Sequence, residues 1–354
     1  MLSLEMFSLG MEVSLKDICI VIFSRERNDR LLKSLEYWAD FDVQVLVLHN
    51  TSRPLNSEKF SPRINYQIST ESFVTRCGIA AELLIGKFVI IASDDELYLP
   101  SVLILMAKEL TDKPDLVSIG AQSVALSKYG FKYYLTPIYS AMYSYKNLYK
   151  ETNKRLNQHY FSERAHHFNG AMYRMGRISD VKQFLLLLAK LEGMSTPYIS
   201  QITAELYWTI LGPSEYLNEI FWLRNWIEPH IQANDWQRSL YFNHWFFKNE
   251  YEYEVKRWVN LIHDMQIIKD GNIDLLPVLK QIAENDKLVE IREYRKHNLL
   301  FKFKKSRLVK LLRYLISKTR KIPKNRFILK QLEAQGITVN VQEITKAIKF
   351  LSNR

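Results

Sequence analysis

Three consecutive acids, Asp94, Asp95 and Glu96, follow almost directly on the apolar run Phe88–Ala92. The run has the length and β-branched content of a buried strand, so the acids belong at its carboxyl end. In an open α/β sheet that edge is where ligands bind. Adjacent carboxylates repel one another, and carboxylate oxygens suit a hard cation such as Mg²⁺ or Mn²⁺, so one reading of the triplet is a metal site. The other is a solvated acidic turn at the start of the next helix, where negative charge is favourable. Pro100 follows the triplet, and Val102, Leu103, Leu105, Met106 and Leu110 are spaced as the buried side of that helix.

The elements around the triplet alternate. Asp17–Phe23 reads as a strand ending in Ser24-Arg-Glu-Arg27, and Leu31, Leu32, Leu35 and Trp38 as one face of a helix. A second strand over 43–48 ends in His49-Asn50, and a third covers 64–68. Phe73, Cys77, Ala80, Ala81 and Leu84 fit a second helix, the triplet's strand follows, and 116–126 reads as another strand. Alternating strands and helices predict an α/β fold, a mostly parallel sheet flanked by helices.

In order and spacing, Ile18–Arg25 with its following helix, Thr75-Arg-Cys-Gly78, and Gly86–Glu96 with Pro100 resemble GT-A glycosyltransferases, especially the family 2-like enzymes of bacterial surface polysaccharide synthesis. The resemblance covers about the first 125 residues. It implies a GT-A (Rossmann-like) fold and transfer of a sugar from a nucleotide-sugar donor, a UDP-sugar favoured, to a glycan or lipid-linked glycan. By the same resemblance Asp94 meets the donor's ribose or sugar, and Asp95 and Glu96 hold Mn²⁺ or Mg²⁺ on its diphosphate. Ser24 and Arg25 line the nucleotide pocket and Arg76 contacts nucleotide or pyrophosphate. A metal and an arginine would stabilise the charge of the departing diphosphate. Many relatives carry an Asp that reads the base where this chain has His49 and Asn50; an Asn carbonyl still accepts from a base N–H.

Beyond residue 126 the pattern loosens. Nine of the 20 tyrosines lie in 127–173, which suits either an acceptor side that stacks sugars or an aromatic insertion packed on itself. Arg164-Ala-His-His-Phe168 is its most polar cluster, with hydrogen bonding favoured over metal ligation. Helices are expected over 179–191 and 199–211 and a strand over 221–224. Inversion by direct displacement needs a carboxylate base, and Glu205 is the candidate, with a surface glutamate as the alternative. Arg224 reads as a group for a phosphate or carboxylate, or as the partner of an acid.

Of 354 residues 47% are hydrophobic, ample for a core, and the formal charge is +11. That charge is local: 295–330 holds 14 Lys or Arg and no acid, 331–354 adds +1, and 1–294 is left with −4. Over 306–318 the leucines share one helical face and the bases the other, the form of a helix lying on an anionic membrane surface. Docking on the body ranks second and nucleic acid third, the latter on a helix–turn–helix pattern around Gly336. The expected division is a leader 1–14, a catalytic domain 15–230 (nucleotide half 15–126, acceptor half 127–230), a helical extension 231–294 and a basic arm 295–354. No run is long enough to span a membrane, no secretory signal pattern opens the chain, and two lone cysteines suit a reducing compartment, so a cytoplasmic protein is expected. A sugar nucleotidyltransferase is disfavoured because Ser24-Arg-Glu-Arg27 has no glycine, and an inactive scaffold of the same fold carrying the basic tail is the non-enzyme alternative.

Overall fold

A computed structural model describes residues 12–129, 132–137, 146–160, 171–196, 198–226, 242–267, 275–285, 287 and 325–352. The Arg164–Phe168 cluster and the amphipathic stretch 306–318 lie outside these residues. In chain order the strands are β1 (Ile18–Arg25), β2 (Gln44–Asn50), β3 (Ile64–Ile68), β4 (Phe88–Ser93), β5 (Glu96–Tyr98), β6 (Ser118–Tyr129), β7 (Lys132–Pro137), β8 (Lys146–Asn147), β9 (Met175–Arg177) and β10 (Ser214–Trp226). The first helices are α1 (Asn28–Ala39), α2 (Phe73–Leu83), α3 (Pro100–Asp112), α4 (Thr152–Tyr160), α5 (Ile178–Ala189) and α6 (Tyr198–Leu211).

The strands form one mixed sheet in the order β3-β2-β1-β4-β9-β6-β10-β5, with β7 on β6 and β8 on β10. β3, β2, β1 and β4 are mutually parallel, as are β6 and β10, while β5, β7, β8 and β9 pair antiparallel. The sheet is covered on both faces, as the uninterrupted apolar strands predict. Ile18, Ile20 and Ile22 enter the core shared with α1 and α3, and Cys19, Val21 and Phe23 enter the one shared with α2, α5 and α6. One strand thus divides its side chains between two layers with period two. Gly86 starts the turn into β4 at φ +91°, and a Cβ there would stand 2.9 Å from the Asp17 carbonyl oxygen, so the position requires glycine.

Three expectations change. Leu32 is 38% exposed, whereas Leu31, Leu35 and Trp38 hold the buried face of α1. The loose stretch after 126 instead contains a β6–β7 hairpin and α4. The C-terminal segment is also no simple arm. Helices Asn325–Ala334 and Val341–Ser352, joined through Gly336 at φ +79°, place Ile328, Leu329, Leu332, Ile337, Ile344, Ala347 and Leu351 in the β1/α1/α3 core. Glu343 accepts from the Ser101 hydroxyl at 2.7 Å, and Phe350 packs edge-on against Tyr37. The helix–turn–helix reading of 324–351 holds, and its apolar face is spent on the domain itself.

Candidate functional site

The strand order reverses at β1. From there β2 and β3 extend to one side and β4 to the other, and a change of direction of this kind is where α/β sheets form a ligand crevice at the strands' carboxyl ends. Every residue that reaches this edge is carried by a strand end or the first turn of a helix.

Ser24, the last buried residue of β1, donates its hydroxyl to Asp94 Oδ2 at 2.5 Å. Arg25 beside it is exposed. Glu26 then turns the chain at φ +51°. Its backbone N–H donates to the Asn50 carbonyl, and its carboxylate accepts from the Ser52 N–H at 2.9 Å and the Thr51 hydroxyl at 3.2 Å. This lashes the β1–α1 loop to the chain after β2, which supports the left-handed conformation of a non-glycine residue. Arg27 and Arg30 follow, at the N-cap and in the first turn of α1, three residues apart and hence on one face.

Asp94 and Asp95 form the turn between β4 and β5, and Glu96 opens β5; none is more than 4% exposed. Each has a guanidinium. Arg27 binds Asp94 with both carboxylate oxygens engaged, Nη2 at 2.5 Å from Oδ1 and Nε at 3.1 Å from Oδ2. Arg27 Nη1 and Arg30 Nη1 converge on Asp95 Oδ2 at 3.0 and 2.8 Å. Arg224 sits opposite Glu96 in the β5–β10 ladder, donates Nε to Oε1 at 2.8 Å and lies 4.7 Å over the Trp222 ring. Tyr173 packs on Trp222 at 4.3 Å and meets the Ser93 hydroxyl at 3.3 Å, closing the wall behind Glu96.

Burial pushes Asp94 up to about 7, with Asp95 adding to the rise and Arg27 and Ser24 opposing it. Burial likewise pushes Glu96 up to about 7 against the pull of Arg224. Removing a carboxylate from water disfavours its charged form, and the arginines offset only part of that cost.

At the end of β2, His49 is fully buried, with Nδ1 2.7 Å from the Tyr66 hydroxyl, and burial holds its pKa below 6.5. The Asn50 amide nitrogen donates to the Thr70 and Glu71 carbonyls at 3.0 and 2.9 Å. That leaves the side-chain carbonyl as its means of meeting a ligand.

Two expected ligand contacts have different employment. Arg76 is 4% exposed and donates Nη1 to the Ser24 carbonyl at 2.8 Å and the Leu48 carbonyl at 2.7 Å. It clamps the ends of β1 and β2 from behind. Glu205 is 2% exposed within α6, its carboxylate 3.7 Å from Arg174. A general base must come within hydrogen-bond reach of a substrate hydroxyl, and in this structure Glu205 stands in a buried ion pair. Arg27 and Arg30, which reach the acids, are not among the residues singled out from the sequence, where Arg25 stands. The available signal was Arg27 and Arg30 at i and i+3 where the helix begins.

The expected divalent ion fits this donor set poorly. Mg²⁺ and Mn²⁺ ask for near-octahedral oxygen coordination. Both Asp94 oxygens are held by Arg27 and Ser24, and Asp95 Oδ2 by two guanidinium groups. Glu96 Oε2 is the one buried oxygen of the triplet with neither a hydrogen-bond nor an ion-pair partner. Among the described residues no three His, Cys, Asp or Glu side chains are grouped to hold a metal.

No family model matches the sequence, and no curated protein does. Among solved structures, the chain is similar to crystal structures of S. aureus TarS 1–349, alone and in complex with UDP-GlcNAc. For the former, identity is 10%, 74% of this chain and 77% of that chain are covered, and the TM-score is 0.43. For the complex the values are 10%, 74%, 78% and 0.44. Against a further crystal structure of S. aureus TarS they are 13%, 79% of this chain, 55% of that chain and 0.42.

Proposed function

We propose that this chain is a GT-A-type glycosyltransferase that binds a nucleotide-sugar in the crevice at β1 and β4 and passes the sugar to a glycan or lipid-linked glycan of a bacterial surface polysaccharide. One observation carries the reading. Ser24, Arg27 and Arg30 from the β1–α1 junction meet Asp94 and Asp95 from the end of β4 at the reversal of strand order. That is where α/β sheets bind nucleotides. Guanidinium groups at a helix start suit a diphosphate, and the buried acids beside them suit hydroxyls of a ribose or sugar. His49 and Asn50, at the end of the neighbouring β2, stand within the same edge for the base.

No described helix is long and apolar enough to cross a membrane. Action on a lipid-linked acceptor from the cytoplasmic face is therefore proposed through surface contact by 306–318.

A thermal-shift panel of UDP-, GDP-, CMP- and dTDP-sugars tests the reading, followed by an assay for released nucleotide. One donor class should raise the melting temperature by mass action. Asp95→Ala should abolish release. If no donor shifts the melting temperature and none is turned over, the crevice is not a donor site.

A further inference from the structure

We infer that the crevice takes the diphosphate of its nucleotide on Arg27 and Arg30, without a resident divalent cation, the acidic triplet serving to aim these arginines. The inference rests on the donor reading above and departs from the metal site that the sequence suggests.

The argument begins with charge. Three buried carboxylates face three guanidinium groups: Asp94 with Arg27, Asp95 with Arg27 and Arg30, and Glu96 with Arg224. With all three acids ionised the cluster is neutral, and any acid that burial keeps protonated leaves it positive, which suits an anion and not a dication. The Asp94–Arg27 pair also engages both carboxylate oxygens, one by a charge-assisted hydrogen bond and one by a close ion pair. A cation seeking Asp94 must break it.

Donor counting gives the arginines their task. A guanidinium carries five N–H groups in a planar fork. Arg27 directs one from Nε at Asp94 and one from Nη1 at Asp95, with Nη2 in ion-pair contact with the other Asp94 oxygen. The second hydrogens of Nη1 and Nη2 remain to meet phosphate oxygens while the acid pairs stay intact. Arg30 brings a second guanidinium to the same Asp95 oxygen, one turn along α1, where the helix N-terminus adds its own preference for an anion. The partly exposed arginine side chains, 14% and 13%, stand between the buried acids and solvent, so a ligand entering the crevice reaches guanidinium before carboxylate. Lysine would not substitute at Arg27, because a point charge cannot hold two acids and a phosphate in one plane.

The test measures binding of UDP, GDP, CDP and dTDP by calorimetry, in EDTA and in MnCl₂, together with the electron paramagnetic resonance signal of Mn²⁺ mixed with the protein alone. The expected result is one nucleoside diphosphate bound within about threefold as tightly in EDTA as in MnCl₂, and a free-ion Mn²⁺ signal unchanged by protein. Arg30→Gln, checked for an unaltered fold by circular dichroism, should weaken binding in EDTA about tenfold. Binding in MnCl₂ that vanishes in EDTA overturns the metal-free inference and leaves the donor reading standing. So does uptake of Mn²⁺ by the protein alone. Absence of binding in both media overturns the donor reading and the inference with it.

Discussion

Two sets of arginines divide this molecule. Arg76, Arg155, Arg177 and Arg257 donate to main-chain carbonyls: Ser24 and Leu48; Thr209 and Ile210; Leu110 and Leu116; Lys190 and Glu192. Most of those carbonyls belong to strand ends or the last turns of helices, where they have no partner of their own. Arg27, Arg30 and Arg224 donate to carboxylates at the crevice. A carbonyl offers no charge for a ligand to compete with, so the first set is fixed frame. A carboxylate–guanidinium pair at a ligand-binding edge keeps donors facing outward, so the second set is poised for an anion. The same side chain is scaffold in one place and poised for a ligand in the other, and partner and position together decide which, since Arg63 also holds a carboxylate, Asp42, without standing at the crevice.

The largest effect expected from this contrast is on stability. Arg155 is 2% exposed and bonds the Thr209 carbonyl at 2.7 Å, the Ile210 and Tyr149 carbonyls at 2.9 Å, the Lys150 carbonyl and the Thr152 hydroxyl. Arg155→Met strands several buried acceptors at once. Urea denaturation should show a loss of about 3–5 kcal/mol. A loss under about 1 kcal/mol would mean that water reaches those carbonyls and that the frame set is not a frame.

Much of the frame was legible in the sequence. The strands β1 to β4 and helices α1 to α3 stand within a residue or two of expectation, because a buried strand must be continuously apolar and a one-sided helix must repeat at 3.6. The edge carrying the site followed from that alternation alone. The roles of individual side chains did not follow. Arg25 and Arg27 differ by two residues, and only the turn at Glu26, held by Ser52 and Thr51 from another loop, decides which one faces the acids. Arg76 and Glu205 have partners 28 or more residues away in sequence or on another element, and periodicity carries no information about such pairings. The C-terminal helices carry the same lesson. The charge of 295–330 is visible in composition, whereas the docking of Ile344 and Leu351 beside α1 is a tertiary fact.

A smaller effect separates the crevice from the frame by pH. Asp94 and Glu96 have folded-state pKa values raised from 3.8 and 4.5 to about 7, so the folded protein binds protons there that the unfolded chain has released. Their contribution is fully present below about pH 4 and is lost as pH rises through about 7. Asp17, Glu26 and Glu254 are shifted downward, so both their states are ionised throughout the upper part of that window and add no slope. His49, held below 6.5, works in the opposite sense as pH falls beneath that value. The difference between wild type and Glu96→Gln isolates the acid. Relative to the wild type, Glu96→Gln should gain about 1–2 kcal/mol in urea melts between pH 5 and pH 8, one raised pKa unit being worth about 1.4 kcal/mol. A parallel pair of pH profiles would place Glu96 in water, contrary to its 3% exposure. The carboxylate that Arg155 influences, Glu151, is shifted downward and so ionised across the same range, and Arg155→Met should run parallel to the wild type.

The smallest stability effect belongs to Arg30, and it draws the contrast most finely. Its side chain is 13% exposed and its Nη1 shares Asp95 Oδ2 with Arg27. Arg30→Gln therefore leaves Asp95 with a guanidinium partner, and the buried acid is not abandoned. The expected change in urea-melt stability is under about 1 kcal/mol, well below the 3–5 kcal/mol that follows when a buried charge loses its sole partner. Nucleotide affinity should move the other way, falling about tenfold, because an outward-facing cation is lost from the anion's path. Arg155→Met predicts the reverse pairing of a large stability loss and an unaltered affinity per folded molecule. If Arg30→Gln instead costs as much stability as Arg155→Met and leaves affinity alone, then Arg30 belongs to the frame and the division of the arginines by their partners fails at the residue where it matters most.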